Sequence, residues 1–208
     1  MGKPVEVQVL SRPPKNLDSD AAVIQLVECH LAKVDATGSN PVRRSKYRRG
    51  PMKITDFLSK ASVTNELKAN TKAEVISEMV ALLVESGGIE KKDRAKVIES
   101  LLAREALGST AIGQGIAIPH AKSDTISDLV AALAISRKGI NFDSLDGEPA
   151  YIFFLLVAPA DSAGPHLKAL ARVSRLLKDK FFRDSLKNTK TSKDIIDLVA
   201  QEDGRIGS

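Results

Sequence analysis

Two continuous apolar runs, residues 129–136 and 151–157, constrain the fold of this chain more than any other feature. The second run consists mostly of Ile, Phe and Leu and is bounded by Pro149 and Pro159. Short runs rich in bulky residues and bounded by prolines favour buried strands over helices. An Asp-Gly pair between the two runs is typical of a turn. We therefore predict two strands in a sheet that is covered on both faces.

Helical patterns lie on either side of these runs. Thr71 and Glu74 form a capping box, in which the hydroxyl caps the first turn and the carboxylate reaches back, and this predicts a helix that ends at Gly87. Apolar spacing predicts four further helices, at residues 91–106, 165–177, 180–186 and 192–200. This order predicts an α/β domain over residues 52–204, with a central sheet flanked by helices on both faces.

The first 51 residues differ in character from the rest of the chain. Apart from an apolar patch at residues 21–34, they show no sustained helical or strand period. We predict that residues 1–51 are a disordered N-terminal extension. The stretch from Thr37 to Ser45 resembles the translation of the T-arm of a transfer RNA gene, which leads to the hypothesis that the natural protein begins at Met52. A genuine basic tail is the alternative.

Charge and cysteine content restrict the possible functions. The net charge is +5, but residues 1–51 hold nine Lys and Arg against five Asp and Glu, so most of the excess positive charge lies in this segment. Aromatic residues, which could stack on bases, make up only 4% of the chain. We therefore predict no nucleic-acid partner. Cys29 is the single cysteine, which excludes an internal disulfide, and it lacks neighbours at zinc-ligand spacing. The chain has neither a long apolar stretch nor a secretory signal pattern, so we predict a cytoplasmic protein without membrane insertion.

Only two histidines lie beyond residue 51, and both stand where a purely structural role would be unexpected. His120 follows a Gly-Gln-Gly turn, a short apolar segment and a proline, so we predict its ring at a strand end, beside glycines that let a ligand approach the backbone. His166 is predicted in the first turn of a helix, where free amides and the dipole favour an anion. Arg104, near the end of the second helix, is a third candidate.

These three side chains suit phosphoryl transfer. A neutral imidazole can attack phosphorus, while a guanidinium and a second donor balance the charge on the oxygens. A metal centre is the competing interpretation, but too few carboxylates or cysteines surround the histidines to complete a ligand set. A nucleotide-binding Walker loop is excluded because the Gly-rich segment lacks the Gly-Lys-Ser/Thr ending. For His120 taken alone, a hydrogen-bonded core histidine is an equally good interpretation.

The segment from Arg104 to His120 reads Arg-Glu-Ala-Leu-Gly-Ser-Thr-Ala-Ile-Gly-Gln-Gly-Ile-Ala-Ile-Pro-His. It closely resembles the active-site signature of the IIA domains of the fructose and mannitol class in the bacterial sugar phosphotransferase system. The resemblance extends over most of residues 52–202 and implies a central mixed sheet flanked by helices. It also implies that His120 is phosphorylated on Nε2, that His166 is the stabilising imidazole and that Arg104 is the guanidinium partner. The implied phosphoryl donor is HPr or an HPr-like protein, and neither a metal nor a cofactor is expected.

Two branches of this family differ in what receives the phosphoryl group. The nitrogen-regulatory IIA protein controls partner proteins according to its phosphorylation state, whereas a sugar-specific IIA component passes the group to a IIB domain for sugar uptake. Beyond residue 51 the sequence shows no IIB-like segment with a reactive cysteine, and residues 139–147 and 167–177 look most like the regulatory subgroup. We therefore predict the regulator. A third interpretation, an interaction domain whose site has decayed, is disfavoured because all three side chains are present.

Overall fold

The computed structural model describes residues 52–206. The predicted disordered extension of residues 1–51 and the hypothesis of a start at Met52 lie outside the described residues. Within the described part, every helix is too short or too polar to cross a bilayer. This part folds into one six-stranded sheet with five α-helices.

All the strands of the described part belong to one sheet: β1 Leu58–Thr64, β2 Ala111–Gly113, β3 Ile116–Ala117, β4 His120–Ser123, β5 Val130–Ile140 and β6 Ala150–Pro159. The strand order is β1-β5-β6-β3-β2, and β4 pairs with β6 beyond the end of β3. Strands β5 and β6 are antiparallel, while β3 and β4 run parallel to β6 and β1 runs parallel to β5. The mixed sheet that the family resemblance implies is therefore confirmed. The two apolar runs form β5 and β6, which lie next to each other inside the sheet.

Helices cover both faces of the sheet. One face carries α1 and α2, and the other carries α3, α4 and α5: α1 Lys72–Glu85, α2 Arg94–Ala106, α3 Ala163–Lys178, α4 Lys180–Asn188 and α5 Ser192–Ile206. In β5, Leu133 and Ile135 pack with the three C-terminal helices, whereas Ala132 and Ala134 pack with α1 and α2. Burial on both faces accounts for the continuous apolar composition of the central strands, and it confirms the predicted layered α/β architecture.

Two of the differences between the structure and the sequence-based boundaries have a clear physical cause. The pattern did not predict β1, where the three residues after Leu58 are exposed and interrupt any apolar alternation. Helix α5 continues past the predicted end at residue 200, although an interior glycine, Gly204, costs a helix about 1 kcal/mol. The neighbouring Asp203 is buried and accepts the backbone N–H of Ile54 at 2.9 Å and the guanidinium of Arg172. These contacts stabilise the extra turn.

Candidate functional site

His120 lies directly after a break between two short strands. Strand β3 ends at Ala117, Pro119 cannot donate a hydrogen bond to the sheet, and His120 is the first residue of β4, opposite Leu156 of β6. The sequence predicted the ring at the end of a strand. The structure places it at the N-terminal end of β4, on the same side of β6 as β3.

The Gly-Gln-Gly turn ahead of His120 contacts other side chains of the domain closely. Gly113, Gln114 and Gly115 all have positive φ, at 89°, 57° and 77°. A Cβ at Gly113 would lie 2.9 Å from the Asp146 carboxylate, and one at Gly115 would lie 3.1 Å from the ring of Tyr151. Asp146 also accepts the backbone N–H of Gln114 at 2.7 Å. The close approach that the glycines permit is therefore made by side chains of the same domain, which fix the turn.

A backbone carbonyl orients the ring of His120. Its Nδ1 lies 2.8 Å from the carbonyl oxygen of Ile118. A carbonyl oxygen only accepts hydrogen bonds, so Nδ1 carries the proton in this arrangement. In the neutral ring the lone pair is then on Nε2. In the half-buried His120, Nε2 is therefore the nitrogen whose lone pair can act as a nucleophile.

His166 has the opposite environment. It lies in the first turn of α3, as predicted, and is only 6% exposed. Its Nε2 is buried and has no hydrogen-bond partner among residues 52–206. Burial lowers the pKa of the imidazole to about 4, with smaller contributions from the charges of His120 and Lys122. The ring is therefore neutral at physiological pH.

The structure brings the two imidazoles together. The ring centroids of His120 and His166 are 5.8 Å apart, and the ring planes are tilted by 48°. The N-terminus of α3 lies at the same place, and its first turn contains no acidic residue. The N-cap residue Ser162 donates its hydroxyl to the carbonyl of Pro159 at 2.8 Å instead of capping the helix. The first turn of α3 therefore adds no negative charge of its own to the positive end of the helix dipole.

Arg104 lies on a neighbouring element. It is half-buried in the last turn of α2, a helix that packs against β4, the strand that begins at His120. Its guanidinium donates to the carbonyl of Gly108 at 3.1 Å. Within residues 52–206 that guanidinium forms no hydrogen bond with either imidazole. The structure therefore unites two of the three predicted side chains and keeps the third on the adjacent helix.

Sequence reasoning missed Lys122. Residues two apart on a strand share a face, and in β4 the half-buried His120 and the exposed Lys122 alternate with the buried Ala121 and Ser123. The positive charge of Lys122 contributes to the lowered pKa of His166, after burial and the charge of His120. The spacing of two residues from His120 is the signal that would have identified it.

The chemistry of this arrangement favours an anionic group. Among residues 52–206, no three His, Cys, Asp or Glu side chains cluster closely enough to hold a metal ion. The site instead combines a nucleophilic nitrogen, a neutral buried imidazole, an uncapped helix N-terminus and the nearby cation of Lys122. These groups suit the acceptance and stabilisation of an anion.

Comparison with known proteins agrees with this chemistry. Residues 56–202 match the family model described as phosphoenolpyruvate-dependent sugar phosphotransferase system, EIIA 2. A nitrogen regulatory protein from Bradyrhizobium diazoefficiens is 38% identical over 149 residues, which cover 72% of this chain and 95% of that protein. A fructose-specific EIIABC component from Bacillus subtilis is also 38% identical, over 152 residues, which cover 73% of this chain but only 24% of that larger protein.

A solved structure extends the similarity to three dimensions. The crystal structure of nitrogen regulatory protein IIA-Ntr from Neisseria meningitidis superposes with a TM-score of 0.64 at 29% identity, covering 70% of this chain and 98% of that one. The family match covers more than half of the chain and includes both strands and helices of the site. The chain therefore belongs to the EIIA type 2 family of the phosphotransferase system and is a IIA-type phosphocarrier.

Proposed function

We propose that residues 52–204 form a cytoplasmic carrier domain that accepts a phosphoryl group on Nε2 of His120 from HPr or an HPr-like protein. The domain then acts as a nitrogen-regulatory IIA protein, which controls its partner proteins according to its phosphorylation state. The single observation that carries the proposal is the pair of imidazoles, 5.8 Å apart, in which a backbone carbonyl fixes the nucleophilic ring.

The transfer step follows from the tautomer of His120. Nε2 attacks the phosphorus of the donor's phosphohistidine, a new N–P bond forms, and the donor imidazole leaves with the electron pair of its broken N–P bond. His120 gains positive charge as it bonds to phosphorus. Its Nδ1–H is retained and stays directed at the carbonyl of Ile118, which stabilises that charge. No proton has to leave the ring.

His166 supplies a hydrogen-bond donor for the phosphoryl oxygens. Its lowered pKa keeps the ring neutral, so the contact is a hydrogen bond rather than an ion pair. A buried polar group without a partner costs roughly 1–3 kcal/mol, and a phosphoryl oxygen would remove that cost at the buried Nε2 of His166. The gain exists only when the group is present, so it favours the phosphorylated state.

Positive groups around the pair balance the charge of the phosphoryl group. Lys122 lies on the same face of β4 as His120, and the start of α3 has no acidic residue. Arg104 uses one nitrogen for the carbonyl of Gly108, while a guanidinium has five N–H donors, so others remain for phosphoryl oxygens. In a loose transition state with the charge spread over three oxygens, such donors provide most of the stabilisation.

Two findings favour the regulatory branch. The solved structure with the TM-score of 0.64 is a nitrogen regulatory protein, and the match to the Bradyrhizobium regulator extends over 95% of that protein. The sugar-specific branch is the second candidate, because the fructose-specific component of Bacillus subtilis is equally identical over its matching part. In that case the phosphoryl group of His120 would pass to a IIB domain.

Labelling of the full chain tests the carrier function. The protein is incubated with ³²P-phosphorylated HPr and, separately, with a phosphorylated HPr-like protein of the nitrogen branch, and the initial rate of acid-labile label is measured. We expect the wild-type protein to accept label and His120→Ala to accept none. His30→Ala is the matched control, since it removes the histidine of the N-terminal segment, and it should accept label at the wild-type rate.

The outcomes separate the hypotheses. Undiminished labelling of His120→Ala would overturn the assignment of the acceptor. Faster labelling by the HPr-like donor supports the regulatory branch. Rapid discharge of the labelled protein to a fructose-class or mannitol-class IIB domain would instead establish the sugar-specific function.

A further inference from the structure

Glu105 is a buried charged residue that the transfer step does not use. It lies in the last turn of α2, directly after Arg104, and is only 6% exposed. Both of its carboxylate oxygens lie 3.1 Å from the backbone nitrogen of Thr110, and one also accepts the hydroxyl of Thr110 at 2.5 Å. Lys72 completes the set with an ion pair of 3.0 Å. Thr110 and Lys72 together supply the hydrogen-bond donors at this carboxylate.

A chain of hydrogen bonds leads from this carboxylate to the ring of His120. The backbone N–H of Thr110 donates to Glu105. The carbonyl of Thr110 accepts the backbone N–H of Ile118 at 3.0 Å, and the carbonyl of Ile118 accepts Nδ1–H of His120 at 2.8 Å. Thr110 and Ile118 are thus each hydrogen-bonded through both their backbone N–H and their backbone C=O. The orientation of the imidazole depends on where Glu105 holds Thr110.

The carboxylate is itself held in place by a second element. Lys72, the first residue of α1, pairs with Asp143 at 2.8 Å as well as with Glu105. Its ammonium group lies 4.9 Å from the centroid of the Phe142 ring, and the carbonyl of Phe142 accepts the hydroxyl of Ser109 at 2.6 Å. Charge-assisted contacts therefore link α1, the end of α2 and the segment before β2.

We propose that Glu105 is a positioning residue, which acts through Thr110 and Ile118 to hold the proton of His120 on Nδ1 and to aim Nε2. The same carboxylate sets the path of residues 107–110, where Arg104 holds the carbonyl of Gly108. The proposal rests on the function proposed above only for its kinetic readout. The tautomer of His120 is a property of the unphosphorylated protein.

Three variants of the full chain test the link. Glu105→Gln removes the charge and the ion pair with Lys72, and Thr110→Val removes the hydroxyl donor at nearly constant volume. Thr110→Ser is the matched control, because it retains both donors. We expect Glu105→Gln and Thr110→Val to lower the rate constant for phosphoryl acceptance roughly ten- to a hundredfold, because a small misalignment of a reacting atom is costly. The KM for phosphorylated HPr and the rate of Thr110→Ser should stay near the wild-type values.

A spectroscopic measurement separates positioning from folding and from catalysis. In ¹⁵N-histidine-labelled wild-type protein, NMR should detect the Nδ1–H tautomer of His120, and Thr110→Ser should retain it. Glu105→Gln and Thr110→Val should show mixed tautomers while their amide spectra remain those of a folded domain. Wild-type tautomer and wild-type rate in either folded variant would overturn the proposal. If the wild-type protein accepts no label, the carrier function fails, but the tautomer measurement still decides the role of Glu105.

Discussion

The start of β4 and the first turn of α3 each contribute an imidazole to one site, and the two environments are opposite. At the start of β4, His120 is half-exposed and the backbone fixes its protonated nitrogen. In α3, His166 is buried, and its Nε2 has no partner within residues 52–206. The two environments match the two roles that we propose for one residue type. A nucleophile needs access and a defined tautomer, whereas a stabilising donor needs burial and an unfilled hydrogen bond.

Replacement of the buried His166 ring should remove the contribution of α3 to the site. We expect His166→Ala to slow phosphoryl acceptance by HPr roughly a hundred- to a thousandfold, because loss of one preorganised donor to a developing anion typically has that effect. His166→Gln, which retains an N–H donor, should keep more of the rate. Stopped-flow or quench measurements with phosphorylated HPr provide the check. Equal rates for His166→Ala and the wild-type protein would remove His166 from the mechanism.

The lowered pKa of His166 predicts a pH-dependent stability. The pKa is about 4 in the folded protein and 6.5 in the unfolded chain, so the unfolded chain binds the proton more readily between these values. The contribution of the neutral ring is complete above pH 6.5 and is lost as the pH falls toward 4, which amounts to about 3 kcal/mol. Urea unfolding of the wild-type protein and His166→Gln across this range measures the difference. Parallel pH profiles of the two proteins would contradict the assigned environment.

A milder change tests the guanidinium beside the β4 half. Arg104→Lys retains the charge but loses the planar set of donors, so we expect phosphoryl acceptance to slow roughly tenfold with an unchanged fold. The initial labelling rate and the amide NMR spectrum are the two readouts. A wild-type rate would show that Arg104 serves only the carbonyl of Gly108, the contact observed here.

The sequence predicts those parts of the fold that a strong local pattern determines. The continuous apolar run predicted a buried strand, and β6 is buried on both faces. The capping box at Thr71 predicted a helix start, and α1 begins there. Strand β1 was missed because its exposed residues after Leu58 carry no periodic pattern. The last turn of α5 was missed because the contacts of Asp203 come from residues far away in the chain.

The same distinction applies to the site. His120 and His166 could be identified because each follows a local signal, a Gly-rich turn with a proline and a helix start. The contact of Gly113 with Asp146, the role of Lys122 beside His166 and the bonds between Glu105 and Thr110 depend on the folded arrangement. A sequence pattern can identify the candidate side chains, but not the groups that orient them.

The most direct test is to locate the phosphorus on the phosphorylated protein. The ¹⁵N-histidine-labelled chain is phosphorylated through HPr, and ³¹P–¹⁵N couplings together with ring ¹⁵N shifts identify the bonded nitrogen. We predict a phosphoryl group on Nε2 of His120, with a retained Nδ1–H. A phosphoryl group on Nδ1 of His120, or on the ring of His166, would contradict it.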